Sequence, residues 1–263
     1  MTRRALSLKR SAAFLALVAL AACEVDFVPR AEAREEWKKS YTVAADAELA
    51  IENTNGTIVV TPGTGSTIEI VATRIAKAGS DEAAKKLLAD TRIEESASES
   101  SVKLTSRSSR MGFGGTQYQV NYEVRAPAGI ALNLSATNGT IDVSSWEGRV
   151  EMSATNGTLE GSGLKGEVDA STTNGKIDLR LAALAERGVN VETTNGRVSV
   201  ELPKDSQGRV IARVTNGSIS VEGLNAEPSP SNTRRRYEAA INGGSGPTVT
   251  VETTNGSITV RGS

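Results

Sequence analysis

No histidine occurs in this 263-residue chain, and only one cysteine, Cys23. The missing imidazole excludes Ser-His-Asp and Cys-His catalysis, histidine general-base chemistry and the usual zinc sites. Without a second cysteine no disulfide forms within the chain, so stability must come from packing. Aromatic residues are 3% of the total, few for the stacking platforms on which base and sugar recognition often rests. Setting aside Arg3, Arg4, Lys9 and Arg10 of the N-terminal segment, 26 Lys and Arg face 31 Asp and Glu, a formal charge of −5. Such a balance argues against a nucleic-acid partner, whose phosphates would demand a basic face. Nothing in this inventory calls for a cofactor.

The N-terminus reads as processing information rather than fold. Four basic residues precede an apolar run from Ala12 to Ala22, too short for a permanent span, which needs about 20 residues. The run ends in Leu20-Ala21-Ala22-Cys23, which resembles a bacterial lipobox. That resemblance implies cleavage after residue 22 and a diacylglyceryl thioether on Cys23, anchoring the chain to a membrane through its acyl chains. Glu24, where an Asp would retain the protein at the inner membrane, implies the outer membrane. Residues 23–40 then form the lipidated cysteine and a polar leader, read as a tether reaching about 50 Å at about 3.3 Å per residue. The alternative is that Trp37 docks the leader on the first strand.

What the chain does have is a repeat. Thr-Asn-Gly recurs seven times, at Asn55-Gly56, Asn138-Gly139, Asn156-Gly157, Asn174-Gly175, Asn195-Gly196, Asn216-Gly217 and Asn255-Gly256, with asparagine spacings of 83, 18, 18, 21, 21 and 39. Aliphatic residues stand six and four positions before each Asn, as in Val150 and Met152. Others follow three and five positions after it, as in Ile141 and Val143, with Ala170, Ala212 and Gly161 the small members of these columns. A step of two within each arm is the strand period, one face buried and the other polar. Each repeat is therefore two short strands meeting at Thr-Asn-Gly.

Asn and Gly both tolerate positive φ, and Thr suits a strand end. Two geometries satisfy this: a type I′ hairpin with antiparallel arms, or the corner of a β-solenoid coil whose arms pair with their counterparts about 4.8 Å away. The identity of the columns favours the solenoid, because stacking aligns seven Asn and seven Thr into ladders of side-chain hydrogen bonds. A single coil buries too little to stand alone, so the copies must stack. The expected fold is all-β, a single-stranded β-helix with one short helix, its N-terminal β-rich part at 41–131 and its repeats at 132–263.

Two insertions break the period. The first carries a strand at Thr67 to Ala72, a helix at Ser80 to Thr91 with Ser80 as N-cap and Asp81 and Glu82 in its first turn, and strands at Ser101 to Ser106 and Gln117 to Arg125 around the Gly-rich Met111 to Gly115. The second, a loop at 225–247, holds Arg234, Arg235 and Arg236, the densest basic cluster after Cys23. It reads either as a contact for an acidic glycan or anionic lipid, or as a solvated loop paired with acidic repeats. Stacking would also place Asp142, Glu160 and Asp178 in one outward file about 5 Å apart. Carboxylates so spaced fit a cation site or a retaining glycosidase, although a flat face with no aromatic neighbours suits neither.

The strand-helix-strand lead, the stretch YEVRAPAGIALNLSATNGTI, the further TNG coils and the closing GGSGPTVTVETTNGSITV together resemble the bacterial putative-adhesin family of β-strand-repeat domains, over about residues 41 to 261. The resemblance implies a β-helical fold in an envelope setting. On that basis the expectation is a non-enzymatic binding or scaffolding module touching the membrane through Cys23 and a glycan, peptidoglycan or another envelope protein. A polysaccharide-active enzyme and an envelope-stress component are the alternatives.

Overall fold

The computed structural model describes residues 31–108 and 116–263. The signal segment, Cys23, residues 24–30 and the Gly-rich 111–115 lie outside the described residues. The chain forms β1 (Ala31–Thr42), β2 (Glu48–Pro62), β3 (Thr67–Ala78), the helix α1 (Asp81–Asp90), β4 (Thr91–Ala97), β5 (Ser101–Ser108), β6 (Gln117–Ala126) and β7 (Ala131–Ser144). It continues through β8 (Val150–Leu164), β9 (Val168–Asn174), β10 (Ile177–Leu181), β11 (Val189–Asn195), β12 (Val198–Leu202), β13 (Gly208–Glu222), β14 (Ala226–Pro228), β15 (Arg236–Ile241) and β16 (Thr248–Gly262).

The arms of a repeat do not pair with each other, as a hairpin would require. Each pairs in parallel with its counterpart in the next coil: Leu49 with Leu132, Asn55 with Asn138 and Ile58 with Ile141 between β2 and β7, and Leu132 with Val150 and Ile141 with Leu159 between β7 and β8. This is a single-stranded β-solenoid. Its apolar columns point inward and are buried from Leu49, Ile51, Ile58 and Val60 through Val249, Val251, Ile258 and Val260. Gly161 fits its column because Leu164 and Leu179 occupy the space its Cβ would take, lying 2.7 and 2.9 Å from that position. Trp146, passed over in the sequence reading, closes the third side of a coil, with no exposure and its Nε1 donating to the Ile130 carbonyl at 2.9 Å.

Seven asparagines form one continuous ladder. Asn138 donates to Asn55, Asn156 to Asn138, Asn174 to Asn156 and Asn195 to Asn174, at 2.8, 3.0, 3.0 and 2.9 Å, and then Asn255 donates to Asn195 and Asn216 to Asn255, each at 2.9 Å. Two expectations about this corner are corrected. The asparagines do not supply positive φ: among described non-glycine residues only Ser145 and Asn242 have it, whereas six of the seven corner glycines do, among them Gly56 at +119° and Gly256 at +155°. The amide ladder, not backbone tolerance, is the reason for Asn. Nor do the corner threonines bond to one another among the described residues; their column faces outward, only Thr54 being half-buried, with its hydroxyl donating to the Ser106 carbonyl at 3.4 Å.

Coil order departs from chain order at the C-terminal end. β16 lies between β11 and β12 on one side and β13 on the other, parallel to all three. The spacing of 39 is thereby explained: the chain overshoots to lay down β13 and returns to insert its last strand. The stretch 225–247 is not simply a loop. It contains β14 and β15, which extend the first arm of β13 by two antiparallel strands.

The first insertion builds the opposite cap. β5 and β6 make an eighth coil without Thr-Asn-Gly, pairing in parallel with the two arms of β2. β4 then pairs antiparallel with β5, β3 with β6 and β1 with β3. Here the tether expectation is corrected for residues 31–40, which belong to β1 over its whole length. Trp37 does dock, opposite Ala72 of β3 rather than on β2. The helix forms as expected, Ser80 Oγ accepting from the Ala83 amide at 3.3 Å and Leu87 and Leu88 packing on Ala76. Together these pieces cover an edge that would otherwise template further pairing.

Glu95 ties the outermost strands of this cap together, accepting from the Tyr41 hydroxyl at 2.6 Å and from Lys39 at 3.1 Å. The Tyr41 bond, then that of Lys39, holds its carboxyl below the ordinary value. A depressed carboxyl stabilises the fold above the unfolded pKa of about 4.3 and loses that contribution as the pH falls. Glu95→Gln is expected to cost under about 1 kcal/mol at pH 7, given its exposure, and less at pH 3, as read by urea unfolding at the two values. An equal loss at both would assign the effect to packing rather than charge.

Candidate functional site

Two surfaces were singled out by the sequence. The acidic file is assembled as expected, Asp142 opposite Glu160 and Glu160 opposite Asp178. It borders a shallow cavity of about 250 Å³ that also holds Lys176 and Arg180, and Lys176 Nζ lies 2.8 Å from Asp178. Among the described residues no three acidic side chains gather closely enough to hold a cation. That ion pair neutralises one carboxylate of the file.

The arginine cluster is split by β15. Arg236 opens the strand and pairs with Glu238 at 3.0 Å, and Arg234 stays outside the cavity described next. Arg235 lines a cavity of about 320 Å³ at the C-terminal end of the stack, together with Arg236, Arg213 of β13 and the corner residues Thr215 and Thr254. Arg213 was not recognised from the sequence, because it looks like any polar residue on the outer face of a strand. It lies next to Glu252, with which it is ion-paired. Only the insertion of β16 beside β13 brings the two together, and no local signal announces that.

At the other end of the stack the same columns line a second cavity, of about 440 Å³, formed by Glu52, Thr54, Ser135, Thr137, Ser153 and Thr155 with Arg107 and neighbours from β5. Corner threonines line both cavities, Thr54, Thr137 and Thr155 the one and Thr215 and Thr254 the other. One position before the corner threonines, Thr172, Thr193 and Thr253 stack on successive coils, buried, their hydroxyls without a partner. Their inward placement continues the alternation of Ala170, Val191 and Val251 by one more step of two.

A profile built on a family of such repeats matches residues 42–261, nearly the whole described chain. The chain belongs to the Toastrack DUF4097 family. Among solved structures, this Toastrack chain is similar to a putative cell adhesion protein from Clostridium sporogenes, at 12% identity and a TM-score of 0.42 over 87% of this chain and 100% of that one. It is also similar to a putative adhesin from Bacteroides fragilis, at 14% identity and a TM-score of 0.35 over 86% and 97%. A putative lipid binding protein from Parabacteroides distasonis aligns at 10% identity and a TM-score of 0.28 over 86% and 96%. No curated protein matches the Toastrack chain. No helix among its described residues is long and apolar enough to cross a membrane.

Proposed function

We propose that this Toastrack chain is a non-catalytic binding or scaffolding module of the cell envelope, held at the outer membrane by acyl chains on Cys23. The observation that carries this reading is the asparagine ladder, which locks the TNG coils into one rigid stack. A rigid stack presents its outward columns in fixed register, and a partner meeting such a surface orders little of it on binding. The acidic file carries a neutralising lysine and lies on an open face, an arrangement suited to solubility rather than to general acid–base work, which needs carboxyls with separated environments.

Protease treatment of intact cells tests where the module works. With the lipid on Cys23 and the repeats at the cell exterior, added protease is expected to digest the domain without permeabilisation; protection until the outer membrane is opened would restrict the partner to peptidoglycan or an envelope protein. Release of the protein from membranes on Cys23→Ser is expected in both cases, and retention of that variant would overturn the anchor.

A further inference from the structure

The last coil of the stack is covered on one arm and open on the other. β15 pairs with the first arm of β13 from Gly208 to Arg213, and the Val214 amide, donating to the Arg235 carbonyl at 2.9 Å, ends that cover. The second arm of β13 pairs with β16 along one edge and, among the described residues, with nothing along the other. The core columns record this opening: Ile219 and Val221 are half-buried, whereas Ile258 and Val260 in the adjacent coil are fully buried. The corner itself, Thr215 to Ser218, is exposed.

Backbone direction makes this corner chemically distinct from the other six. The Gly175 amide donates to the Asn195 carbonyl and the Gly196 amide to the Asn255 carbonyl, each at 2.9 Å, so a corner glycine aims its N–H at the next coil. Alternate residues of a parallel strand face alternate neighbours, and the register of Gly56 with Gly139, Gly139 with Gly157 and Gly256 with Gly217 carries that direction along the stack. Gly217 belongs to the last coil, and its N–H points where a further coil would lie. The amide ladder stops at the same place. Asn216 donates to Asn255 at 2.9 Å, but its own Oδ1 has no donor among the described residues, whereas each internal asparagine both donates and accepts. At the opposite terminus Asn55 accepts from Asn138, and Gly56 still has a coil ahead of it. The eighth Asn-Gly pair, Asn242-Gly243, has its carboxamide held by three bonds, Nδ2 donating to the Lys204 and Ser206 carbonyls at 2.9 and 2.8 Å and Oδ1 accepting from Asn225 at 3.1 Å.

We propose that Asn216-Gly217 is a site of spontaneous deamidation, the corner at which the stack leaves its own Asn-Gly chemistry unguarded. The Gly217 nitrogen gives its proton to hydroxide and attacks Cγ of Asn216, and glycine has no Cβ to crowd that approach. The N–Cγ bond forms, the Cγ–Nδ2 bond breaks, and ammonia leaves with its third hydrogen taken from water, which regenerates hydroxide. Water then opens the resulting succinimide. Cleavage of the ring nitrogen from Cγ gives aspartate at position 216, and cleavage from the main-chain carbonyl gives iso-aspartate. At the other corners the glycine proton is engaged, so the coils must part locally before the same attack can begin. Either product carries a carboxylate, which accepts but does not donate, so the rung from position 216 to Asn255 is lost. The iso form also lengthens the main chain of β13 by one methylene and pulls Ser218 to Glu222 out of register with Ser257 to Arg261. The open end of the stack therefore loosens with age while the internal rungs hold.

The test is incubation of the full-length protein in detergent micelles in mildly alkaline buffer, with peptide mass spectrometry locating each replacement of an amide by a carboxyl and iso-aspartyl methyltransferase labelling the iso form. In the folded protein Asn216 is expected to convert about tenfold or more faster than the other corner asparagines and Asn242, and faster still as the pH rises. In urea, where every glycine amide is free, the seven corners are expected to convert at similar rates. Asn216→Gln is expected to abolish the conversion at this position, because the longer side chain would have to close a six-membered ring. Equal rates at all corners of the folded protein overturn the proposal, as does an unchanged Asn216 over a period that converts the unfolded chain. A preference for Asn216 that persists in urea also overturns it, since the cause would then be local sequence and not the open end of the stack.

Discussion

Truncation after Gly246 is expected to abolish folding of the domain, although it removes only the last strand of the chain. β16 is last in sequence but internal in the stack. It pairs with β11 and β12 along one edge and with β13 along the other. Its inward residues Val249, Val251, Ile258 and Val260 are fully buried. At about 1.5 to 3 kcal/mol per buried aliphatic side chain, their loss alone removes about 6 to 12 kcal/mol, comparable to the whole stability of a typical domain, about 5 to 15 kcal/mol. Asn195 and Asn216 would also lose the amide that joins them, and β13 with its β14–β15 cap would have no neighbouring coil. Circular dichroism of the truncated protein should show no cooperative melt, and a synthetic peptide of residues 247–263 should restore one. A truncated protein melting within a few degrees of the intact chain would make β16 a peripheral strand and overturn the coil order. During synthesis the half-built edge of β11 and β12 stays open until β16 has emerged.

The same strand marks the boundary of what the sequence could reveal. The in/out alternation, the seven corners and the helix with its Ser80 cap were legible because each is written in local spacing. That Asn174 meets both Asn156 and Asn195 was also legible, since columns of one residue type imply a stack. The position of Asn255 between Asn195 and Asn216 was not, because every repeat carries the same edge chemistry and nothing local distinguishes one neighbour from another. β1 was hidden for a different reason. Its run of Glu, Arg and Lys reads as solvent-exposed linker, yet an edge strand of the cap carries just such charges to discourage further pairing. Of the candidate sites, the acidic file followed from strand period and coil register. The Arg213–Arg235 cavity depended on the inserted strand and could not be read.

Glycine at the corner is expected to matter more than the asparagine beside it, and the ordering can be measured on three single variants. Gly256 has φ +155°, and a Cβ built on it falls 1.7 Å from the carbonyl oxygen of Gly196 in the adjacent coil. That atom is backbone, held by the pairing of its coil with its neighbours, so no rotamer change relieves the clash. The coils would have to separate, breaking the ladder of β16 with β11 and β12. Gly217 repeats the geometry one coil on, its virtual Cβ 1.6 Å from the Gly256 oxygen, so glycine at 256 both accepts and makes the close approach. Such contacts leave a Cα–H facing a carbonyl, a weak attraction where a methyl would collide. Gly256→Ala is therefore expected to cost more than about 4 kcal/mol, the range reserved for backbone collisions and core disruption. Asn255→Ala removes one donated and one accepted amide bond from an exposed ladder and should cost about 1 to 2 kcal/mol. Gly243→Ala, at φ +94° with nothing within 4 Å of the new methyl, carries only the conformational penalty of about 1 kcal/mol. Urea unfolding of the three variants reads the order directly. If Asn255→Ala proved as costly as Gly256→Ala, the amide ladder rather than the close approach of glycine backbones would set the spacing of the coils.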